Sequence, residues 1–167
     1  MPTSPHIRVS DEFTAEHPDA DPSATEVVIN ALTVGTLLAE RMDAVLRPFG
    51  LTVGSFTLLT IVAGDDAAIT PTDIARRSPT RVTTATVTGL LDTCERKGLL
   101  RRAPHPSDKR RVLVHLTPSG RALVGDATAA VVAAEQRWVG PVPANRRTAL
   151  LRGLGELRVA LETDASA

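Results

Sequence analysis

The sequence predicts a mainly α-helical fold carrying one small β-hairpin, with long helices at both ends. Three observations carry that prediction. Apolar residues recur at three- to four-residue spacing through most of the chain, the signature of amphipathic helices. Two short extended runs, Leu99–Ala103 and Val112–Leu116, bracket a tip rich in Pro, Ser and charge. Long amphipathic segments flank this middle block. With 167 residues, 43% hydrophobic and 23% charged, the chain fits one compact domain, or one domain plus an oligomerisation element.

The elements follow in order. Residues 1–23 are rich in Pro, Ser, Asp and His without periodicity and are expected to form a flexible arm. A first helix is expected from Ala24 to Arg47, where Val28, Leu32, Met42 and Leu46 share a face; Pro48 and Gly50 stop it. Thr52 caps a second helix with Phe56, Leu58, Leu59, Ile61 and Val62 as its apolar positions, ended by Gly64-Asp65-Asp66. Thr70-Pro71-Thr72-Asp73 reads as an N-cap, a proline at the first helical position and an acid three residues on, opening a brief helix to Arg77. Ser78-Pro79 breaks it. A fourth helix runs from Val82 or Thr83 to Lys97 with Val87, Leu90, Leu91 and Cys94 inward, and Gly98 terminates it.

After the hairpin, Thr117-Pro118 opens a long helix with Leu123, Ala127, Val131, Ala134 and Trp138 on one stripe. Gly140-Pro141-Val142-Pro143 breaks the chain, and a last helix carries Leu150, Leu154, Leu157 and Leu161. That spacing is a coiled-coil-like seam with nothing inside the chain left to cover it. Helix, helix, turn, helix, hairpin is the order of a winged helix-turn-helix, and the flanking helices are free to pair with another subunit.

The formal charge is zero, but its distribution is not even. Residues 1–75 carry a net −8, residues 76–111 a net +7 and residues 112–167 a net +1. A basic stretch of that density suits a polyanion, where counterion release supplies affinity without sequence preference; the same stretch also reads as a solvated charged surface.

The stretch Thr86–Leu123, TVTGLLDTCERKGLLRRAPHPSDKRRVLVHLTPSGRAL, resembles the MarR (multiple antibiotic resistance regulator) family of bacterial transcription factors. The "TVT" of the recognition helix, the "GL…R" entry to the wing, the D-[RK]-R wing tip and the "LTPSG" return into a long helix stand in register. Upstream, LTVGSFTLLTIVA and TPTDIAR resemble the two preceding helices, so the likeness spans about Ala24 to Leu161. Two departures stand out. The segment between Ala75 and Val87 is about two residues longer than is usual in the family, and Gly89 replaces a position where many relatives carry Arg or another polar residue.

The resemblance implies a winged helix-turn-helix with long N- and C-terminal dimerisation helices. The expected domains are a flexible arm (1–23), an N-terminal dimerisation helix (24–50), a DNA-binding domain (51–116) and C-terminal dimerisation helices (117–164). The implied partners are double-stranded DNA with a pseudo-palindromic operator, a second copy of the chain, and a small aromatic or lipophilic effector whose binding releases a repressor. The expected DNA contacts are Arg76, Arg77 and Arg81 on backbone phosphates, Thr83, Thr84, Thr86 and Thr88 on the recognition helix, and Asp108, Lys109 and Arg110 at the wing tip. Threonine hydroxyls can serve phosphates or base edges, although Thr83 is equally a helix cap and the three arginines equally an exposed turn. A guanidinium suits the negative potential of a narrow minor groove, and the resemblance places Arg110 there with Asp108 bracing the hairpin. The effector cleft implied by the family draws on Met42, Phe49, Phe56, Leu59 and Leu123, all of which also suit a core.

Other functions are disfavoured. There is no Gly-rich phosphate loop, no G-x-S-x-G elbow and no H-E-x-x-H, so an enzyme is not expected. The single Cys94 excludes an internal disulfide, suits a reducing cytoplasm and reads as a buried small hydrophobe. His6, His17, His105 and His115 are scattered without metal-ligand spacing, so neither a metal nor a cofactor is expected. Trp138 either packs at a helix junction or lines the effector cavity. No membrane span and no secretory signal are expected, because no unbroken apolar run reaches about 18 residues and the N-terminus lacks a basic and an apolar region. Alternatives of other kinds are a ligand-independent activator or architectural DNA-binding protein, and a protein-interaction module using the basic wing.

Overall fold

The computed structural model describes residues 6–65, 69–79, 82–108 and 111–164. It contains seven α-helices among these residues: α1 (Asp11–Glu16), α2 (Pro22–Leu46), α3 (Val53–Ala63), α4 (Pro71–Arg77), α5 (Thr84–Arg96), α6 (Pro118–Val139) and α7 (Ala144–Asp164), with a short 3-10 helix at Arg47–Phe49 and one hairpin of β1 (Leu100–Pro104) and β2 (Val112–Leu116) between α5 and α6. The chain falls into two compact units, Met1–Ala127 and Thr128–Ala167.

In the first unit, α3, α4 and α5 pack on one another, α3 and α4 meet β2, and α5 meets β1. Leu46, Leu58, Leu59, Val62, Ile74, Val87, Leu91, Cys94, Leu100 and Val114 form its core. Each fully buried aliphatic of this kind contributes about 1.5–3 kcal/mol over exposure. The predicted start signals are used as written. Thr52 and Ser55 close a reciprocal capping box at α3. Thr70 accepts from the Asp73 N–H with Pro71 in the first turn of α4.

Strand β1 pairs antiparallel with β2, from Leu100 opposite Leu116 to Pro104 opposite Val112. A third strand fragment, absent from the sequence reading, joins them: Val114 N–H donates to the Ile69 carbonyl at 2.8 Å, making an isolated bridge. The LTPSG segment has a direct structural reason. Thr117 donates its N–H to the Leu99 carbonyl (3.1 Å) and its hydroxyl to the Gly98 carbonyl (2.7 Å), while accepting from the Gly120 N–H (3.0 Å). A Cβ on Gly120 would overlap the Leu99 carbonyl, so only glycine fits. Gly98 itself ends α5 at φ 68°, where a side chain is strained.

Two expectations are corrected. The arm expected over residues 1–23 is not without structure. Ser10 caps the six-residue α1, Asn30 on α2 accepts the Ile7 N–H at 2.9 Å, and Glu26 accepts that of Val9 at 3.1 Å. Helix α2 therefore begins two residues earlier than expected, capped by Asp21 with Pro22 at its first position. Helix α2 has no unbroken apolar run of spanning length, because Glu26, Asn30, Thr33 and Thr36 interrupt it. Pro22–Phe49 as a whole is still long and apolar enough to cross a bilayer by length and composition, because its few charged residues cluster towards its ends.

In α2 the apolar residues Val27, Val28, Leu32, Val34, Leu37 and Leu38 are exposed. In the second unit, Val131 and Ala134 of α6 are buried and Trp138 is half-buried. None of α7's 21 residues is buried, and Leu150, Leu151, Leu154, Val159 and Leu161 are at least half exposed.

Candidate nucleic-acid interface

Helix α5 starts at Thr84, with Thr83 as its N-cap accepting from the Thr86 N–H. Val87, Leu91 and Cys94 anchor its inner face, which leaves Thr83, Thr84, Thr86 and Thr88 exposed on the first two turns. The four threonines are not equivalent. Thr83 and Thr86 share a hydroxyl hydrogen bond of 3.0 Å, so both hydroxyls are engaged at the cap. Thr88 donates its hydroxyl to the Thr84 carbonyl at 2.9 Å, which leaves its lone pairs free to accept from a base amino group. Thr84 sits at the first helical position beside the exposed N–H groups of the turn, where an anion is favoured.

Gly89 lies on the same exposed surface, and a Cβ there would meet nothing within 4 Å. The missing polar side chain at this position is therefore a matter of sequence and not of space.

The arginines before α5 are held by acids. Arg76 donates to Asp73 at 2.7 Å, and Arg77 to Asp65 at 2.7 Å. Asp73 also receives the Thr70 hydroxyl and lies 3.9 Å from Arg111. The Thr70 hydrogen bond first, and then the charges of Arg76 and Arg111, hold its carboxyl below the usual carboxylate range. Thr70, Thr72, Asp73, Arg76 and Arg111 thereby line an open groove of about 510 Å³ beside the hairpin. Arg111 was not singled out in the sequence; its closeness to Asp73 depends on the hairpin folding back across 38 residues, which no local pattern reveals.

At the wing, Arg111 N–H donates to the Asp108 carbonyl and His105 N–H to the Arg111 carbonyl, both at 3.0 Å. Asp108 is half-buried at the turn. Arg81, Lys109, Arg110 and Asp66 lie outside the described residues. Of the expected effector residues, Leu59 is fully buried in the core, and Met42, Phe49, Phe56 and Leu123 are half-buried. A cleft of about 220 Å³ between α3, α4 and α5, lined by Val53, Thr57, Ile61, Val82 and Leu90 among others, includes none of the five. Cys94 is buried, and burial pushes its thiol up from the ordinary value.

A family model described as the MarR family matches residues 49–111, the segment holding α3 to the wing. The HTH-type transcriptional repressor YetL of Bacillus subtilis is 31% identical over 123 residues, covering 73% of this chain and 71% of its own. The chain belongs to the MarR family. The HTH-type transcriptional regulator PecS of Dickeya dadantii is 29% identical over 91% of this chain and 93% of its own. Among solved structures, a mutant of E. coli MarR complexed with operator DNA is 26% identical with a TM-score of 0.71, covering 89% of this chain and 99% of that one. This MarR-family chain thus has the winged helix-turn-helix fold, with α3, α4 and α5 as the three helices of the motif and β1–β2 as its wing.

Proposed function

We propose that the chain is a sequence-specific, double-stranded DNA-binding transcriptional regulator of the MarR type that acts as a homodimeric repressor. The observation that carries the reading is the first two turns of α5. They present exposed threonines beside a basic wing, on a fold that an operator-bound MarR shares at a TM-score of 0.71. Thr84, Thr86 and Thr88 meet the major groove, with Thr83 capping the helix that carries them. Arg76, Arg77 and Arg81 contact phosphates, the first two preset by Asp73 and Asp65. Arg110 enters the minor groove, with Asp108 bracing the hairpin and Lys109 near phosphate. The exposed apolar residues of α2 and α7 support pairing with a second copy rather than insertion in a bilayer, since Glu26 and Asn30 of α2 hold the Val9 and Ile7 N–H groups of the preceding segment and Glu40, Arg41 and Asp43 crowd its last turns. The domains follow that division of labour: α2 dimerises, 51–116 binds DNA, and 117–164 dimerises.

The activity is binding and not catalysis, exercised in the cytoplasm where the operator is. A small aromatic or lipophilic molecule held among Met42, Phe49, Phe56 and Leu123, against Leu59, releases the DNA. An unchanged DNA affinity across a panel of phenolic and lipophilic compounds would remove that part of the reading.

The deciding experiment is a fluorescence-anisotropy titration against the duplex upstream of the chain's own gene, beside a scrambled duplex, at several salt concentrations. Preference for the native duplex, weakening with salt and a loss of about tenfold or more in Arg110→Ala, is the expected result. Equal weak binding to both duplexes, or none at low salt, overturns it.

A further inference from the structure

We propose that Arg102 is the positioning residue that fixes the wing on the recognition helix. It sits on β1 and makes four contacts with a single face of α5. Its guanidinium Nη1 lies 2.6 Å from Asp92 Oδ1 and 2.9 Å from Glu95 Oε2. Its Nη2 donates to the Thr88 carbonyl at 3.4 Å, and its backbone N–H donates to Glu95 Oε1 at 3.0 Å. Thr88, Asp92 and Glu95 follow one another at four- and three-residue steps, so they form one stripe along the helix. One side chain and its own backbone thereby grip three successive turns.

The hairpin needs such a grip. A two-stranded hairpin is marginal by itself in water, and here Leu100 and Val114 bury its inner face in the core, which holds it down without fixing where its polar tip points. On the β2 side, Val114 is tied to Ile69. On the β1 side, Arg102, which pairs with Val114 across the ladder, supplies the tie to α5. The two ties share the central rung of the ladder, so the hairpin is pinned at mid-length while the tip projects beyond it.

The pairs are also placed where they add little to global stability. Arg102, Asp92 and Glu95 keep 26%, 54% and 38% of their side-chain surface exposed, and ion pairs of that exposure contribute little net stability. What they set is orientation. A wing held in advance loses no freedom on meeting its target, whereas a loose one must be ordered at that moment. Lysine replaces the guanidinium only in part, because Nη1 serves the two acids while Nη2 serves the Thr88 carbonyl, and a single ammonium has no second arm of the fork.

This inference rests on the DNA-binding reading above for its consequence, and on the hairpin alone for its cause, so two measurements separate them. Hydrogen exchange of residues 100–116 without DNA comes first. Arg102→Ala accelerates hairpin exchange by about tenfold while leaving the slowest core amides of α5 and the thermal midpoint essentially unchanged, and Arg102→Lys falls between the two. Unchanged hairpin exchange, or a general acceleration with a lowered midpoint, overturns the proposal. The second is a double-mutant cycle on duplex binding. Arg110→Ala weakens binding about tenfold or more in the wild-type chain but threefold or less in Arg102→Ala, because the tip is no longer delivered. Equal losses in both backgrounds overturn the proposal. Accelerated hairpin exchange in a chain that ignores DNA altogether upholds the clamp and overturns the functional reading instead.

Discussion

Helices α5 and α7 both carry apolar residues at helical spacing, but the chain treats them oppositely. In its 13 residues α5 buries Val87, Leu91 and Cys94, and its polar face is braced by Arg102 and capped by Thr83. In its 21 residues α7 buries nothing, and the Arg158–Glu162 ion pair along it, at 3.3 Å, is exposed. The same contrast separates the body of the first unit from α2, whose apolar residues stand in solvent over several turns. The difference teaches where the chain is complete in itself and where it awaits a partner. Contiguous exposed apolar surface of this extent marks an interaction site, and long isolated helices gain most of their stability from packing.

The largest effect is expected from breaking the incomplete side of this comparison. Leu32 is 67% and Leu154 is 50% exposed in the single chain. By the chain's own packing, replacing both with Asp is a surface change within about 0.5 kcal/mol. In the proposed dimer it buries charge. Sedimentation should show a wild-type dimer and a monomeric Leu32→Asp/Leu154→Asp variant. Affinity for a duplex with two half-sites should fall by roughly a hundredfold or more as the linked second contact is lost. A monomeric wild-type chain with full affinity would sink the dimer reading.

The complete side is tested by its core. Leu91 is fully buried, so Leu91→Ala should cost about 2–5 kcal/mol in thermal or denaturant unfolding. Leu151, 71% exposed, should cost almost nothing when changed to Ala if α7 is solvated, and over 1 kcal/mol if a second copy covers it. The pair of variants therefore reports on the partner through stability alone.

How much of this was legible in the sequence follows the same division. Where structure is fixed by residues close in the chain, the reading was direct: the Thr52 and Thr70 caps, the Gly98 stop, the inward Val87, Leu91 and Cys94 of α5 (Leu90, also expected inward, is only half-buried) and the bounds of β2 stand in the fold. Helix α1 escaped because six residues cannot show a period, although Ser10 followed by Asp11 and Glu12 carried a capping signal. The Ile69 bridge escaped because one residue makes no strand pattern. The site was readable in kind but not in its bracing. Arg77 with Asp65 and Arg111 with Asp73 are pairs that only folding brings together. The threonines were identified as a face, but which hydroxyls the helix itself consumes depends on rotamers that sequence does not encode. The Arg102 grip had a faint local trace in the spacing of Thr88, Asp92 and Glu95.

A smaller effect tests whether α5 is optimised for stability or for its surface. Gly89 lies inside a helix with open space around it, and glycine there costs about 1 kcal/mol relative to alanine. Gly89→Ala should raise the unfolding free energy by that amount. If Gly89 serves close approach to DNA, the same change weakens duplex binding; if the position is merely empty, affinity is unchanged and Gly89→Arg strengthens it. Anisotropy with both variants separates the two.

The smallest effect concerns pH and the seven-residue α4, a helix far too short to persist alone. It holds through Ile74, buried to 1%, and through the Thr70–Asp73 cap. Because the Thr70 hydroxyl, then Arg76 and Arg111, favour the ionised form of Asp73, its folded pKa lies below its unfolded one. The stability this carboxylate contributes is therefore fully present above the unfolded value and is lost as pH falls through the folded one. Carboxyl NMR titration should show Asp73 below the ordinary aspartate range in the wild type. In Thr70→Ser, which keeps a hydroxyl for cap and carboxylate, it should stay low; in Thr70→Val it should rise towards ordinary, and the acid limb of the stability curve should begin at higher pH. An Asp73 that titrates alike in all three would mean that the arginines hold it, and that this helix start is set by Pro71 and Ile74 instead of by its cap.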